Sequence, residues 1–469
     1  MTVSFPWIAE LTALVGPGDV IQDKDQLANL SGDEFPLPSL RQVPAVAVRP
    51  RTTDHISRIL KLANQHKIPV TARGGGTGLC GGCVPSPGGI VLLMDHFNRV
   101  LEVDRDNLMV TAEAGVRLCD LYTIIEKDGL FFPPHPGEET AMIGGTIATN
   151  AGGSRTVKYG TIRQFLRGLE VVLPQGEILQ IGGKLVKNST GFNLLHLFVG
   201  SEGLLGVFTK ATIALLPKPR QTATLIVPYA SIADAIHTVP EIIRRDLQPL
   251  AIEFMEADSI ALTEQQLHRT WPAKGAQAYL LIILETSGAD DIQAKLTEMA
   301  DICEHYHAGD ILLADTDDKQ RDILDFRSQM YEALKPWCLE ILDIVVPRSE
   351  IAGHVEAVHA IEREFGAWLP TYGHAGDGNV HSHIMRVGFK DGKPDFSAKA
   401  DWDTLYPLLR NRLHEDARRR GGMISGEHGI GLAKKEYLKE FVGAGQIAIM
   451  QGIKKMLDPN NILNPGKMF

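Results

Sequence analysis

Cysteine is scarce. Five in 469 residues are too few for a disulfide framework, and the odd count points to a reducing compartment. No closely spaced run of them could hold an iron–sulfur cluster. Long apolar runs are also missing: AYLLIIL at 278–284 falls far short of the roughly 20 residues a membrane helix needs. The opening MTVSFPWIAELTALVG has neither the basic start nor the apolar core of a signal peptide. Positive charge is in deficit, 47 Lys and Arg against 57 Asp and Glu, giving a net charge of −10, which argues against nucleic acid as a partner. No internal repeat or low-complexity segment occurs. The remaining composition, 44% hydrophobic and 22% charged, is that of a soluble chain long enough for two or three domains, and a cytoplasmic location is expected.

Period-3.6 patterning predicts a helix over 53–66, with Ile56, Ile59, Leu60 and Ala63 on one stripe and Thr53 or Asp54 as cap. A strand IPVTA then runs into RGGGTGLCGG, and GIVLLM, LEVD and MVTAEAG read as further strands. A second helix, RLCDLYTIIEKD, is closed by Gly129. The glycine-rich text from 131 leads to LLPKPR at 215–220, a domain exit. Beyond it, strands such as ATLIVPYA and AYLLIILET alternate with amphipathic helices, the pattern of an α+β domain.

Residues 76–81 match G-x-G-x-x-G after a strand. A dinucleotide fold requires that motif to open a helix. Pro85, Pro87, Gly88 and Gly89 follow instead, and they do not start one. Five of the six residues from Arg73 to Gly78 are glycine or basic. Their backbone N–H groups could still form a phosphate-binding nest; the competing reading is an ordinary turn. Two more glycine-dense stretches, MIGGTIATNAGGSRTVKYG and GSEGLLGV, fit a large extended ligand better than three casual turns.

YGHAGDGNVHSHIM at 372–385 carries three histidines around Asp377-Gly378. A two-residue turn there would oppose His374 to His381, Ala375 to Val380 and Gly376 to Asn379. Opposed residues share a face about 5 Å apart, and His383 shares it too. On one continuous strand the offset of seven would separate His374 from His381. Three imidazoles on one face favour a metal site over a surface hairpin with solvated histidines.

The motifs RGGGTGL, PGEETAMIGGTIATNAGGSRTVKYG, NSTGFNLLHLFVGSEGLLGV, GHAGDGNVH, SGEHGIG and NPGKMF resemble, in this order, the FAD-linked D-2-hydroxy-acid dehydrogenases: the family of D-lactate dehydrogenase, the glycolate oxidase flavoprotein subunit and D-2-hydroxyglutarate dehydrogenase. The resemblance runs from about residue 40 to the C-terminus. It implies an α+β chain with a vanillyl-alcohol-oxidase-type FAD-binding domain over 1–219, a substrate (cap) domain over 220–420, and a segment over 421–469 returning to the flavin. By this resemblance Arg73, Gly74, Gly75, Gly76, Thr77 and Gly78 hold the FAD pyrophosphate. Gly144, Gly145, Thr149, Ala151, Gly153, Tyr159 and Gly160 line the cofactor, Glu202, Gly206 and Val207 flank its adenine side, and Asn464 lies near the isoalloxazine. Thr77 stands where some relatives attach FAD to histidine, so the FAD is expected to be non-covalent. Leu204 replaces the threonine of the usual GSEGTLG.

The family's metal ligands fall on His374, His381 and Glu427, a set that suits zinc, manganese or iron. His428 takes the place of the general base and Arg327 that of the carboxylate-binding cation; their bland alternatives are a structural histidine and a solvated helix charge. The 2-hydroxyglutarate branch has a lysine where Ile341 stands and an asparagine where His383 stands. Both departures argue against a second substrate carboxylate, so D-lactate is the expected substrate at a site that includes Arg327 and His383, with glycolate and D-2-hydroxyglutarate as alternatives. A non-catalytic electron-relay subunit would not need the histidine set, and a metal hydrolase would not need flavin. The resemblance further implies an electron-transferring flavoprotein, an iron–sulfur subunit or a quinone as acceptor. A homodimer, and a peripheral position at the inner membrane face reached through a partner, fit the same reading. Cys80 and Cys83 form a C-x-x-C in the first loop and read as small fillers rather than a redox pair; Cys119, Cys303 and Cys338 read as packing.

Overall fold

A computed structural model describes residues 5–469 except 246, 287 and 288; the first four residues of the expected FAD domain lie outside the described residues. The chain forms two compact units. The first comprises Met1–Gly152, Thr161–Lys218 and Glu427–Phe469, and the second Gly153–Gly160 and Pro219–Gly426.

In the first unit, the strands Val46–Val48 and Val70–Arg73 both run parallel to Ile90–Leu93. The helix Thr53–His66 makes the connection between them, as a parallel crossover requires. It forms where the periodicity places it, and its cap is Thr52, whose hydroxyl accepts the His55 N–H at 3.1 Å. The side chains of Ile56, Ile59, Leu60 and Ala63 are fully buried. Val20–Ile21 completes this four-stranded sheet. A second, antiparallel sheet has the order Val100–Asp104, Met109–Glu113, Val207–Ala214, Leu166–Val172, Ile178–Gly182. The C-terminal stretch returns to the first sheet: Val70 N donates to Ile462 O at 2.7 Å and Asn464 N to Val70 O at 2.8 Å.

The second unit is built on one antiparallel sheet of seven strands. Their order is Leu312–Ala314, Gln221–Tyr229, Ala278–Thr286, Ala251–Glu256, Thr371–His374, Asn379–Met385, Cys338–Val345. Ala278–Thr286 is the strand the sequence predicts, and every one of its residues is buried. Helices Ile232–Arg244, Ala257–Leu267, Ile351–Phe365 and Trp402–Arg419 contribute apolar faces to this core. Among the described residues no helix is long and apolar enough to cross a membrane.

Candidate active site

Residues 74–89 contain no helix, so the G-x-G-x-x-G match does not open one. Gly76 takes φ +74°, a backbone conformation that favours glycine, and a Cβ there would press on the Arg73 guanidinium at 2.1 Å. The buried Arg73 side chain turns back to donate to Gly32 O at 2.6 Å, with Cys83 Sγ 3.3 Å away. Its charge thus sits beneath the loop, and Thr77 and Gly78 complete the turn. Gly144 packs on Ala114, whereas Gly145 faces open space. Thr149 ends the same short helix, with its hydroxyl turned back to Gly145 O at 3.3 Å, and Ala151 O accepts from Ile162 N. This cradle of open backbone fits an extended phosphate-bearing cofactor.

Glu202 is buried at φ +49°. Its carboxylate accepts the N–H groups of Ile430 and Gly431, both at 2.7 Å. Burial pushes its carboxyl upward against those bonds. Asn464 donates to Glu202 O at 2.7 Å and Gly82 O at 2.9 Å, and accepts from Thr71 at 3.3 Å. It ties the tail to two of the glycine stretches. A Cβ on Gly206 would strike Val171 at 2.3 Å, so this glycine permits close packing beside Val207. Cys80 Sγ lies 2.9 Å from His428 O, a backbone contact for a residue the sequence reads as filler. No cysteine forms a disulfide among the described residues. Gly153, Tyr159 and Gly160 fall in the second unit, where the Tyr159 hydroxyl donates to Glu285.

The histidine hairpin forms, in a different register from the expected one. Tyr372 pairs with His381 and His374 with Asn379, so the two histidines are diagonal neighbours rather than directly opposed. The shift has a physical cause. The tight turn runs over His374–Asp377, with Asp377 N donating to His374 O at 3.2 Å, while Gly376 N bonds Ile252 O of the adjacent strand at 3.2 Å. Gly378, at φ +94°, lies where a Cβ would be 2.2 Å from Val346 O. A shift of two residues preserves facing, and the ring centroids of His374 and His381 are 5.2 Å apart. His383 is fully buried, 4.8 Å from the Tyr372 ring, with Nδ1 3.2 Å from Pro370 O.

Each of the two close histidines has a buried carboxylate directly across a strand pair. Glu253 faces His374, with Oε1 2.6 Å from Nδ1. Asp343 faces His381, with Oδ1 3.8 Å from Nδ1. Four adjacent strands thus present Glu253, His374, His381 and Asp343 in a row. Glu253 Oε2 also accepts from Arg327 Nη2 at 2.7 Å, and the Arg327 guanidinium stacks 4.5 Å from the Tyr372 ring. Arg327 Nε is buried and finds no hydrogen-bond partner among the described residues. Burial disfavours the charged form of Glu253, yet His374 and Arg327 outweigh it and hold the carboxyl below its usual range. Asp343 accepts from Asn379 Nδ2 and Ser425 Oγ, both at 2.8 Å. Gly426 N donates to Asp343 O at 3.0 Å, which fixes the chain immediately before Glu427 and His428. Sequence reasoning missed Glu253 and Asp343. Their signal is a single carboxylate inside the otherwise apolar AIEFM and LDIVV.

Residues 218–468 match the family described as FAD linked oxidases, C-terminal domain, and residues 44–182 match an FAD binding domain. The chain belongs to the FAD-linked oxidase family. Like its relatives, this FAD-linked oxidase is an oxidoreductase. It is 43% identical to D-lactate dehydrogenase of Archaeoglobus fulgidus, over 90% of this chain and 91% of that one. It is 38% identical to the glycolate oxidase subunit GlcD of Bacillus subtilis, over 92% and 90%. Its fold is similar to that of p-cresol methylhydroxylase, with a TM-score of 0.79 at 18% identity, covering 98% and 96% of the two chains. The vanillyl-alcohol-oxidase-type architecture expected from the sequence is therefore present.

Proposed function

We propose that this FAD-linked oxidase oxidises a D-2-hydroxy acid, D-lactate foremost, to the 2-oxo acid. The observation that carries the reading is the 43% identity to D-lactate dehydrogenase across nine-tenths of both chains. The site chemistry supports it. His374 and His381 each have a carboxylate neighbour that suits a metal-ligating imidazole, and Glu427 would be the third residue to hold a divalent ion. When bound, FAD supplies the hydride acceptor and a zinc, manganese or iron ion supplies a Lewis acid for the substrate oxygens.

The remaining work falls to the chain. Arg327 supplies the cation for the substrate carboxylate. His428 takes the 2-hydroxyl proton on a ring nitrogen as C2 loses hydride. The loop Arg73–Gly78, Gly145, Thr149 and Ala151 bind FAD non-covalently, since Thr77 offers no imidazole for attachment. The electrons would go to a flavoprotein, an iron–sulfur partner or a quinone rather than to NAD, because the G-x-G-x-x-G stretch at 76–81 opens no helix for a nicotinamide dinucleotide.

Glycolate is the second reading, favoured by the GlcD relative. Anaerobic mixing with a panel of D- and L-2-hydroxy acids tests the proposal through loss of the flavin's visible absorbance. D-lactate should bleach fastest, and bleaching by none of the acids would refute the reading.

A further inference from the structure

Glu253 is a carboxylate in the interior of a strand whose six residues are all buried. Such a group is costly unless fully paired. Here both oxygens are engaged, and by residues of different kinds: Oε1 by His374 Nδ1 at 2.6 Å and Oε2 by Arg327 Nη2 at 2.7 Å. A carboxylate only accepts, so a His374 proton sits on Nδ1, which makes Nε2 the ring nitrogen that would ligate a metal. On the Arg327 side one amino group is pinned while Nε is left unsatisfied among the described residues. The Tyr372 ring, 4.5 Å from the guanidinium carbon, fixes its plane.

We infer that Glu253 is a positioning residue that sets two functions at once: the ligating tautomer of His374 and the orientation of Arg327 toward the substrate carboxylate. This rests on the reading of His374 as a metal ligand. One side chain would thereby hold the metal-binding and the carboxylate-binding groups in fixed relation, and only a group that accepts on both oxygens can do it.

The two halves separate in the amide. Glu253→Gln keeps an oxygen that can accept from His374 Nδ1–H but turns an NH2 toward Arg327, replacing an ion pair by two opposed donors. Glu253→Ala removes both contacts. Zn2+ affinity would be measured on the FAD-loaded proteins by competition with a chelating dye, and KM and kcat for D-lactate with an artificial acceptor, with His374→Ala as comparator. Glu253→Gln should bind Zn2+ within a few-fold of wild type while its KM rises about tenfold or more and kcat changes less. Glu253→Ala should also lose about 10–100-fold in Zn2+ affinity. If Glu253→Ala does not fold, the split between KM and metal affinity in Glu253→Gln decides alone. Wild-type KM in Glu253→Gln, with or without a changed melting temperature, overturns the inference. If His374→Ala loses Zn2+ while neither Glu253 variant changes either quantity, this inference fails and the metal reading stands. If His374→Ala binds Zn2+ like wild type, the metal reading itself fails.

Discussion

Asp343 lies directly across the antiparallel strand pair from His381, its Oδ1 3.8 Å from the His381 Nδ1. The carboxylate is fully buried and is held by Asn379 and Ser425. At 3.8 Å the carboxylate is beyond hydrogen-bond distance of the ring, but its buried negative charge raises the basicity of the imidazole beside it. Asp343→Asn should therefore lower metal affinity about 10–100-fold while leaving FAD content unchanged. Metal titration of the FAD-loaded variant checks this; undiminished affinity would leave Asp343 a purely structural residue.

His428 is assigned the proton. His428→Ala should retain FAD and metal but reduce the flavin about 10²–10⁴-fold more slowly, the usual loss for a general base. Stopped-flow reduction by D-lactate measures it, and a wild-type rate would remove the role.

The substrate pocket should reject a second carboxylate. Ile341 is 4% exposed and pairs directly with the fully buried His383, so neither position supplies a cation for a second carboxylate. An unpaired buried charge costs on the order of 3 kcal/mol, about a hundredfold. D-lactate should exceed D-2-hydroxyglutarate in kcat/KM by about that factor, measured side by side with an artificial acceptor. The reverse preference would mean that another residue supplies the cation.

Asp33 gives a pH-dependent prediction. Burial pushes its carboxyl up from 3.8 to about 6, against the Phe35 N–H and Arg73. Its Oδ2 has no hydrogen-bond partner among the described residues. A carboxyl with a raised folded pKa contributes stability that is fully present below its unfolded value and lost as pH rises through about 6. Asp33→Asn should therefore raise the melting temperature at neutral pH, by the equivalent of about 3 kcal/mol at most, and do little near pH 4. Equal shifts at both pH values would contradict the assignment.

Much of this was legible in the sequence, and the exceptions have identifiable causes. The helix Thr53–His66 followed from its apolar stripe, and its cap moved by only one residue, to Thr52. The rejection of a helix after Gly76 followed from Pro85 and Pro87. The facing of His374 and His381 was readable because strand parity survives a shift of two residues. Their register was not, because it depends on Gly376 bonding Ile252 and on Gly378 fitting against Val346, contacts from strands far away in the sequence. Glu253 and Asp343 were invisible for the same reason: a lone carboxylate in an apolar strand acquires meaning only when its neighbour across the sheet is known.

Metal removal decides whether a divalent ion takes part in substrate oxidation. The FAD-loaded protein would be stripped with a chelator, then mixed anaerobically with D-lactate before and after Zn2+ or Mn2+ is restored. The stripped protein should keep its FAD, lose rapid flavin reduction, and regain it with the metal. Reduction by D-lactate at an unchanged rate in metal-free protein would contradict a role for the metal.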